Sequence, residues 1–320
     1  MPPHLGVVLR EIDRANGLSW SDSSRSEALA CLAERTRVDS IIASNAIAEV
    51  SVPERRAKQL IRDGEPKPRT RQERELVGYR DALDSFFGKE LLEPPSANLL
   101  WEMHRRIFDA DVGAAADSPR RAALDELLGA HAEAVDSASA HPLLLVSALT
   151  YGVIALRPFA RGNARMSRLL RQREQLRLGY LVARYQSVDA LLAERIDAYL
   201  EALAPAQAGR VGAEMELWPW ADLSLTVLAA ACRQMQARLS TTTRPPGVGK
   251  QSWVEHWILE SAPRDFSVQD VREAHFGTSE KTIRNALRAL RQLGVIECRG
   301  SGPASSWRKR GEGAGAQASR

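Results

Sequence analysis

The sequence contains little cysteine. Its three cysteines, Cys31, Cys232 and Cys298, lie far apart in the chain. An odd number of scattered cysteines excludes a disulfide framework, and their spacing excludes the paired thiolates of a structural zinc site. We therefore expect free thiols in a reducing compartment and no metal ion.

Long hydrophobic runs are also missing. No apolar stretch is long enough to cross a bilayer, and residues 1–10 lack the apolar segment that a signal peptide requires. We therefore expect a cytoplasmic protein without a membrane partner.

Alternation of apolar and polar residues, which is typical of exposed strands, is almost absent before residue 250. Apolar residues recur instead at the intervals of a helix, which predicts a mainly α protein. A Pro-Pro pair among Thr and Gly residues marks a linker. The predicted parts are a helical N-terminal region (1–95), a helical core (96–240), the linker (241–250), a small α+β domain (251–310) and a disordered tail (311–320).

Positive charge exceeds negative charge. The chain has 44 Lys and Arg against 40 Asp and Glu, and its isoelectric point is near 9.1. Lysine is scarce and arginine abundant, so part of this basic character reflects overall composition. The location of the positive charge is therefore more informative about partners than its total.

Residues 251–310 predict three helices followed by two short strands with a Gly-rich tip between them. Thr278 or Ser279 would cap the third helix. The order resembles the winged helix-turn-helix of bacterial transcription regulators, in which the third helix enters the major groove. The resemblance implies double-stranded DNA as partner, a homodimer on a palindromic site and a location at the nucleoid.

The third helix and the strands after it carry the candidate DNA-binding residues. Arg284 can read guanine and Asn285 can read adenine, while cations on the wing can bind phosphates. The predicted contacts are Ser279, Lys281, Thr282, Arg284, Asn285, Arg288, Arg299, Arg308 and Lys309. No acid interrupts the basic run 308–310, which favours DNA over the alternative, a basic helix that binds protein.

A second motif lies at residues 156–168. It resembles the signature of the Fic family, written His-Pro-Phe-x-x-Gly-Asn-Gly-Arg-x-x-Arg, with an acid before the first Gly. The residues that match in type and spacing are Pro158, Phe159, Gly162, Asn163, Arg165 and Arg168. A helix opened by His141-Pro142 precedes the motif, as in the family. The resemblance implies a Fic-like helical core.

The motif is suited to an anion. Gly162 permits a tight turn, and the backbone amides after it begin a helix whose N-terminus attracts negative charge. The resemblance implies that Arg161, Gly162, Asn163, Arg165 and Arg168 bind the phosphates of a nucleotide such as ATP. Arg161 would supply positive charge in place of magnesium. The alternative is that acids such as Asp39 or Glu49 neutralise these arginines internally.

Three departures from the family pattern bear on catalysis. Arg157 holds the position of the catalytic base and stays protonated, so it cannot accept a proton. Arg161 holds the position of the metal-binding acid and repels magnesium. Ala48, four residues after Ser44, holds the position of an inhibitory glutamate. The motif therefore predicts no catalytic residue and no metal.

Two further features agree with this prediction. Residues 109–121, where the family has a target-docking hairpin, are rich in Ala and Asp. His104 and His131 are the available substitute bases, but a lone helical histidine is more often structural. We therefore predict a DNA-binding regulator whose degenerate core binds a phosphate ligand. The alternatives are a nucleotidyl (AMP) or phosphoryl transferase with an altered site, and a toxin–antitoxin or protein-interaction scaffold.

Overall fold

A computed structural model describes residues 1–17, 26–62, 67–85, 91, 93–108, 119–208, 216–242, 247–275, 278–300 and 306–310. The helices within these ranges are α1 (Pro3–Asn16), α2 (Ser26–Ile47), α3 (Glu54–Ile61), α4 (Arg71–Asp84), α5 (Ala97–Phe108), α6 (Pro119–Asp136), α7 (Pro142–Leu156), α8 (Asn163–Arg177), α9 (Val182–Tyr185), α10 (Val188–Ala193), α11 (Ile196–Gln207), α12 (Leu217–Thr242), α13 (Lys250–Glu260), α14 (Val268–Ala274) and α15 (Glu280–Gln292). The strands are β1 (Asp265–Ser267), β2 (Ile296–Arg299) and β3 (Ser306–Lys309). The protein is mainly α with one small sheet, as the sequence predicts.

The chain divides into two compact units. The first comprises Met1–Ser19 and Ala33–Met235, and the second comprises Trp20–Leu32 and Gln236–Arg320. Helices α2 and α12 therefore contribute residues to both units. In the described part of the chain, every helix is too short or too polar to cross a bilayer.

Helices α4 and α5 of the first unit approach each other closely. A Cβ atom at Gly78 would lie 2.1 Å from the carbonyl oxygen of Arg106, so only glycine fits at this crossing. Tyr79 and Leu100 are fully buried in the core beside it. The ends of these helices follow the sequence signals, because Thr70 caps α4 and the Ser96 hydroxyl accepts from the Leu99 amide.

Helix α8 is the most unusual element of the first unit. It is rich in Arg, Gln and Glu, yet its side chains from Arg165 to Leu176 are all buried. Internal ion pairs make this burial tolerable: Arg171 contacts Asp189 at 2.5 Å, and Arg173 contacts Glu174 at 2.7 Å. The interior of this unit is therefore strongly polar along one helix.

The second unit places a three-stranded antiparallel sheet, in the order β1-β3-β2, beside three helices. Helix α15 directs Ile283, Leu287 and Leu290 into the core, where Phe266 and Val254 are also buried. Ser279 caps α15 by accepting from the Thr282 amide at 3.2 Å, which decides between the two caps proposed from the sequence. Strand β1 was not expected from the sequence.

Helix α8 begins at Asn163, directly after Gly162, which adopts φ 78° and serves as its N-cap. Other boundaries differ from the sequence analysis. Helix α6 begins at Pro119, so residues 119–121 of the Ala- and Asp-rich segment 109–121 are helical. Residues 109–118 lie outside the described residues. Helix α12 extends through Thr242 into the predicted linker. The tail 311–320 also lies outside the described residues.

Candidate functional site

The turn between α7 and α8 has a left-handed residue at each end. Arg157 ends α7 at φ 46° and ψ 57°, with its side chain exposed. Gly162 adopts φ 78°, and a Cβ atom there would lie 2.1 Å from the ring of Phe108. The position therefore requires glycine for two reasons, backbone conformation and space.

Asn163 and Phe159 fix the shape of this turn. The Asn163 side chain accepts from the Phe159 amide at 3.0 Å and donates to the Phe159 carbonyl at 2.8 Å. The Phe159 ring is buried, stacks on His104 with centroids 4.4 Å apart, and meets the edge of Trp101. Phe159 and Asn163 are thus structural residues of the turn, and Asn163 uses its side-chain bonds on the backbone.

A carboxylate from α4 occupies the centre of the arginine cluster. Glu75 accepts from Arg165 Nη2 at 2.6 Å and from Arg161 Nη1 at 3.2 Å. Arg71, one turn earlier on α4, contacts the same carboxylate at 3.1 Å. Three guanidinium groups therefore converge on one acid, and the cluster stays positive overall.

The ring of Phe108 completes this cluster. The guanidinium carbons of Arg161 and Arg165 each lie 4.5 Å from its centroid, which is cation–π distance. Arg165 is buried and also donates to Asn45 Oδ1 at 3.2 Å, whereas Arg161 remains partly exposed. Burial is the main cause that lowers the pKa of Arg165, against the opposing effect of Glu75.

Arg168 is only 1% exposed and lies among neutral partners. It donates to the Ser44 hydroxyl, the Ser44 carbonyl and the Tyr199 hydroxyl, each at 2.7 Å. Ala48, at the position of the family's inhibitory glutamate, lies just after the end of α2 at Ile47. Glu49 follows it with a left-handed backbone at φ 59°. An acid does pair with the motif arginines, as the alternative interpretation holds, but it is Glu75 rather than Asp39 or Glu49. Asp39 lies 3.6 Å from Arg35 on its own helix.

The two candidate histidines are structural. Burial lowers the pKa of His104 to about 4, so its ring is neutral at pH 7, and Nε2 lies 3.0 Å from the carbonyl oxygen of Arg161. Because a carbonyl only accepts, Nε2 carries the proton. His131 is buried against Glu174. Both rings are buried in the first unit.

Magnesium does not fit this donor set. Both oxygens of Glu75 accept from arginine, and Arg161 projects its cation where the family has a metal-binding acid. Among the described residues, no cluster of His, Cys, Asp and Glu could hold a metal ion. A nucleotide fits only after rearrangement, because Phe108 lies against Gly162 and Glu75 engages the arginines.

A cationic face lies on α15 in the second unit. Lys281, Arg284, Arg288 and Arg291 are exposed along it. Asn285 Oδ1 accepts a long 3.5 Å bond from Arg288, and the Thr282 hydroxyl lies 2.9 Å from that of Ser279. The predicted DNA-contacting residues of this helix thus lie together on its solvent side or at its cap.

The cations of the β2–β3 hairpin are less free than the sequence suggests. Arg308 pairs with Asp265 on β1 at 2.5 Å, and Glu297 on β2 pairs with Arg299 at 3.1 Å and with Arg310 at 3.3 Å. Sequence inspection found no acid within the basic run, but antiparallel pairing brings these acids beside it. Lys309 donates to the Leu259 carbonyl at 2.8 Å. These paired strands therefore carry charges of both signs.

Comparison with known proteins identifies the fold. No family model and no curated protein sequence matches the chain. Among solved structures, a Fic family protein from Desulfovibrio desulfuricans G20 superposes with a TM-score of 0.61 at 18% identity, covering 98% of both chains. A Fic domain containing signaling protein from Bacteroides thetaiotaomicron gives 0.54 at 16% identity, covering 72% of this chain and 95% of its own. Fic-1 from C. elegans gives 0.56 at 21% identity, covering 74% and 72%.

The chain therefore has the Fic fold, as the degenerate motif implies.

Proposed function

We propose that the protein is a transcriptional regulator that binds double-stranded DNA through α15. The observation that carries this proposal is the row of exposed cations on that helix. Lys281, Arg284, Arg288 and Arg291 repeat at intervals of three and four on the face opposite its buried Ile283 and Leu287. A single helical face of this kind matches the major groove, whose edges and flanking phosphates are read by arginine and lysine.

The surrounding elements support this proposal. The order α13, β1, α14, α15, β2 and β3 matches the order of elements in a winged helix. In this proposal α14 and α15 form the helix-turn-helix pair. In that arrangement β2 and β3 form the wing beside the DNA backbone. We propose a homodimer, because paired recognition helices match palindromic sites.

Selection of genomic fragments by the full chain, followed by gel shifts at low salt, tests DNA binding. We expect specific fragments to bind, and Lys281→Ala and Arg288→Ala to weaken binding to every sequence and to reduce the salt dependence. Arg55→Ala, which removes an exposed cation from α3, is the matched control and should leave binding unchanged. Failure of the full chain to bind any fragment at low salt would refute the proposal.

We also propose that the Fic-like core binds a phosphate-bearing ligand in place of the Glu75 carboxylate. The supporting observation is the convergence of Arg71, Arg161 and Arg165 on that one acid. A ligand with two or more negative charges would neutralise this cluster more completely than Glu75 does. Such a ligand would bias the DNA-binding unit only if it binds two states of the chain differently.

Calorimetry with ATP and with inorganic pyrophosphate, without magnesium, tests this second proposal. Glu75→Gln keeps the shape of the side chain and removes its charge, so affinity should rise about tenfold, within the Coulomb energy of two nearby charges. Glu73→Gln is the control, because Glu73 lies on the same helix but pairs with Arg56 outside the motif. Equal affinities for the wild type, Glu75→Gln and Arg165→Ala would show that the cluster binds neither probe.

A further inference from the structure

A chain of three charged side chains links α14 to the N-terminal end of α15. Glu280 Oε1 accepts from Arg284 Nε at 3.0 Å and from Arg284 Nη2 at 2.5 Å. Its other oxygen, Oε2, accepts from Arg272 of α14 at 2.5 Å. Both arginines lower the pKa of Glu280, the hydrogen bond from Arg284 most of all, so the acid is ionised at neutral pH.

The acid in this chain faces the solvent side of the helix. The side chains of Glu280, Arg284 and Arg272 are 44%, 68% and 47% exposed, so burial does not account for their pairing. A carboxylate at this place opposes approach to phosphates. As the first residue of α15, Glu280 favours the helix N-terminus. Its two pairings also fix arginine side chains on the surface proposed to meet DNA.

The geometry of the guanidinium gives this pairing a role. Arginine presents five N–H donors in a planar fork. Because Arg284 uses Nε and Nη2 toward Glu280, its Nη1–Nη2 edge points away from the acid. Two parallel donors on that edge match the O6 and N7 acceptors of guanine. Arg272 binds the other oxygen of the carboxylate, which restricts the three side chains to one geometry.

We propose that Glu280 is a positioning residue that holds Arg284 for the recognition of a guanine in the major groove. This inference rests on DNA binding by α15 and adds the base that one residue reads. Glu280 acts by reducing the rotamer freedom of Arg284 before binding and by disfavouring non-specific contact with phosphates.

The test is selection from a random DNA pool by the full chain, carried out with the wild type, Glu280→Gln, Arg284→Ala and Glu297→Gln. The wild type should select a guanine at one position of each half-site. Arg284→Ala and Glu280→Gln should both lose about tenfold of the preference for guanine at that same position, the scale of one bidentate contact. Replacing this guanine by 7-deazaguanine, which lacks N7, should weaken the wild type and leave Glu280→Gln nearly unchanged.

Glu297→Gln is the matched control. Glu297 also pairs with two arginines, Arg299 and Arg310, but it lies on β2. Its loss should raise affinity for all sequences without changing the selected site. If Glu280→Gln keeps the guanine preference, or if Arg284→Ala affects a different position, the inference is wrong while DNA binding stands. If the wild type selects no sequence, both the inference and sequence-specific DNA binding are wrong.

Discussion

Gly162 has a backbone angle and a neighbour that together forbid a side chain. Gly162→Ala should destabilise the first unit by about 1–2 kcal/mol for the left-handed conformation and a further 1–3 kcal/mol or so for overlap with Phe108. Gly179 also has a left-handed backbone, at φ 86°, but nothing lies within 4 Å of the place of a Cβ atom. Gly179→Ala therefore measures the cost of the left-handed conformation alone. Denaturant unfolding of both alanine variants should give the larger loss at Gly162; equal losses would contradict the contact with Phe108.

His275 couples the stability of the second unit to pH. Its ring is 1% exposed and lies perpendicular to Trp253 and Trp257, and burial lowers its pKa to about 4. The unfolded chain binds the proton near pH 6.5 and the folded chain does not, so stability falls as pH decreases from 6.5 to 4.

Unfolding measured between pH 7 and pH 4.5 should show this effect as a slope of up to about 1.4 kcal/mol per pH unit. His275→Phe should reduce that slope, while the buried His104 of the first unit contributes part of what remains. His256→Phe, at an exposed position of the same unit, should leave it unchanged. A wild-type slope that survives in His275→Phe would assign the pH dependence to other groups.

At the scale of elements, local sequence signals predicted where several helices begin. They did not predict which helices are buried. Ser96, His141 and Ser279 each cap a helix that the sequence predicts there. The burial of α8 was unpredictable, because nothing in its Arg, Gln and Glu content shows that Asp189 and Glu174 will pair with those arginines in the interior.

For the candidate sites, the sequence indicates the arginines but not the acids that contact them. The motif residues lie in the turn before α8 and on its first turns. Glu75 lies 86 residues from Arg161 and 90 from Arg165, so no local pattern connects them. Asp265 likewise meets Arg308 only through the pairing of β1 with β3. Strand β1 has three residues, too few for alternation to show. The arginines of residues 157–168 have no acid among them in the sequence. This was the one available signal that carboxylates from distant parts of the chain would pair with them.

Breaking the buried ion pair between α8 and α10 should destabilise the first unit strongly. Asp189→Ala leaves Arg171 buried without its carboxylate, at a cost of about 3–5 kcal/mol. Glu54→Ala breaks an exposed pair with Lys58 and should leave the midpoint of thermal unfolding almost unchanged. Comparable shifts in the two variants would mean that the buried pair contributes no more than a surface pair.

For the whole molecule, we expect no adenylyl transfer. Arg157 cannot take a proton from a target hydroxyl, and Arg161 excludes magnesium. ATP labelled at the α-phosphate, incubated with magnesium, the protein and a cell lysate, should leave every protein unlabelled. Label that appears with the wild type and disappears with Arg165→Ala would overturn this expectation.

The continuity of α2 has a consequence for how this architecture can be inherited. Residues 26–32 of the helix are grouped with the second unit, while Ser44 and Asn45 near its other end hold Arg168 and Arg165. A recombination point between the two groups, at residues 32 and 33, would therefore cut one continuous helix. We expect gene exchanges to be disfavoured at that point.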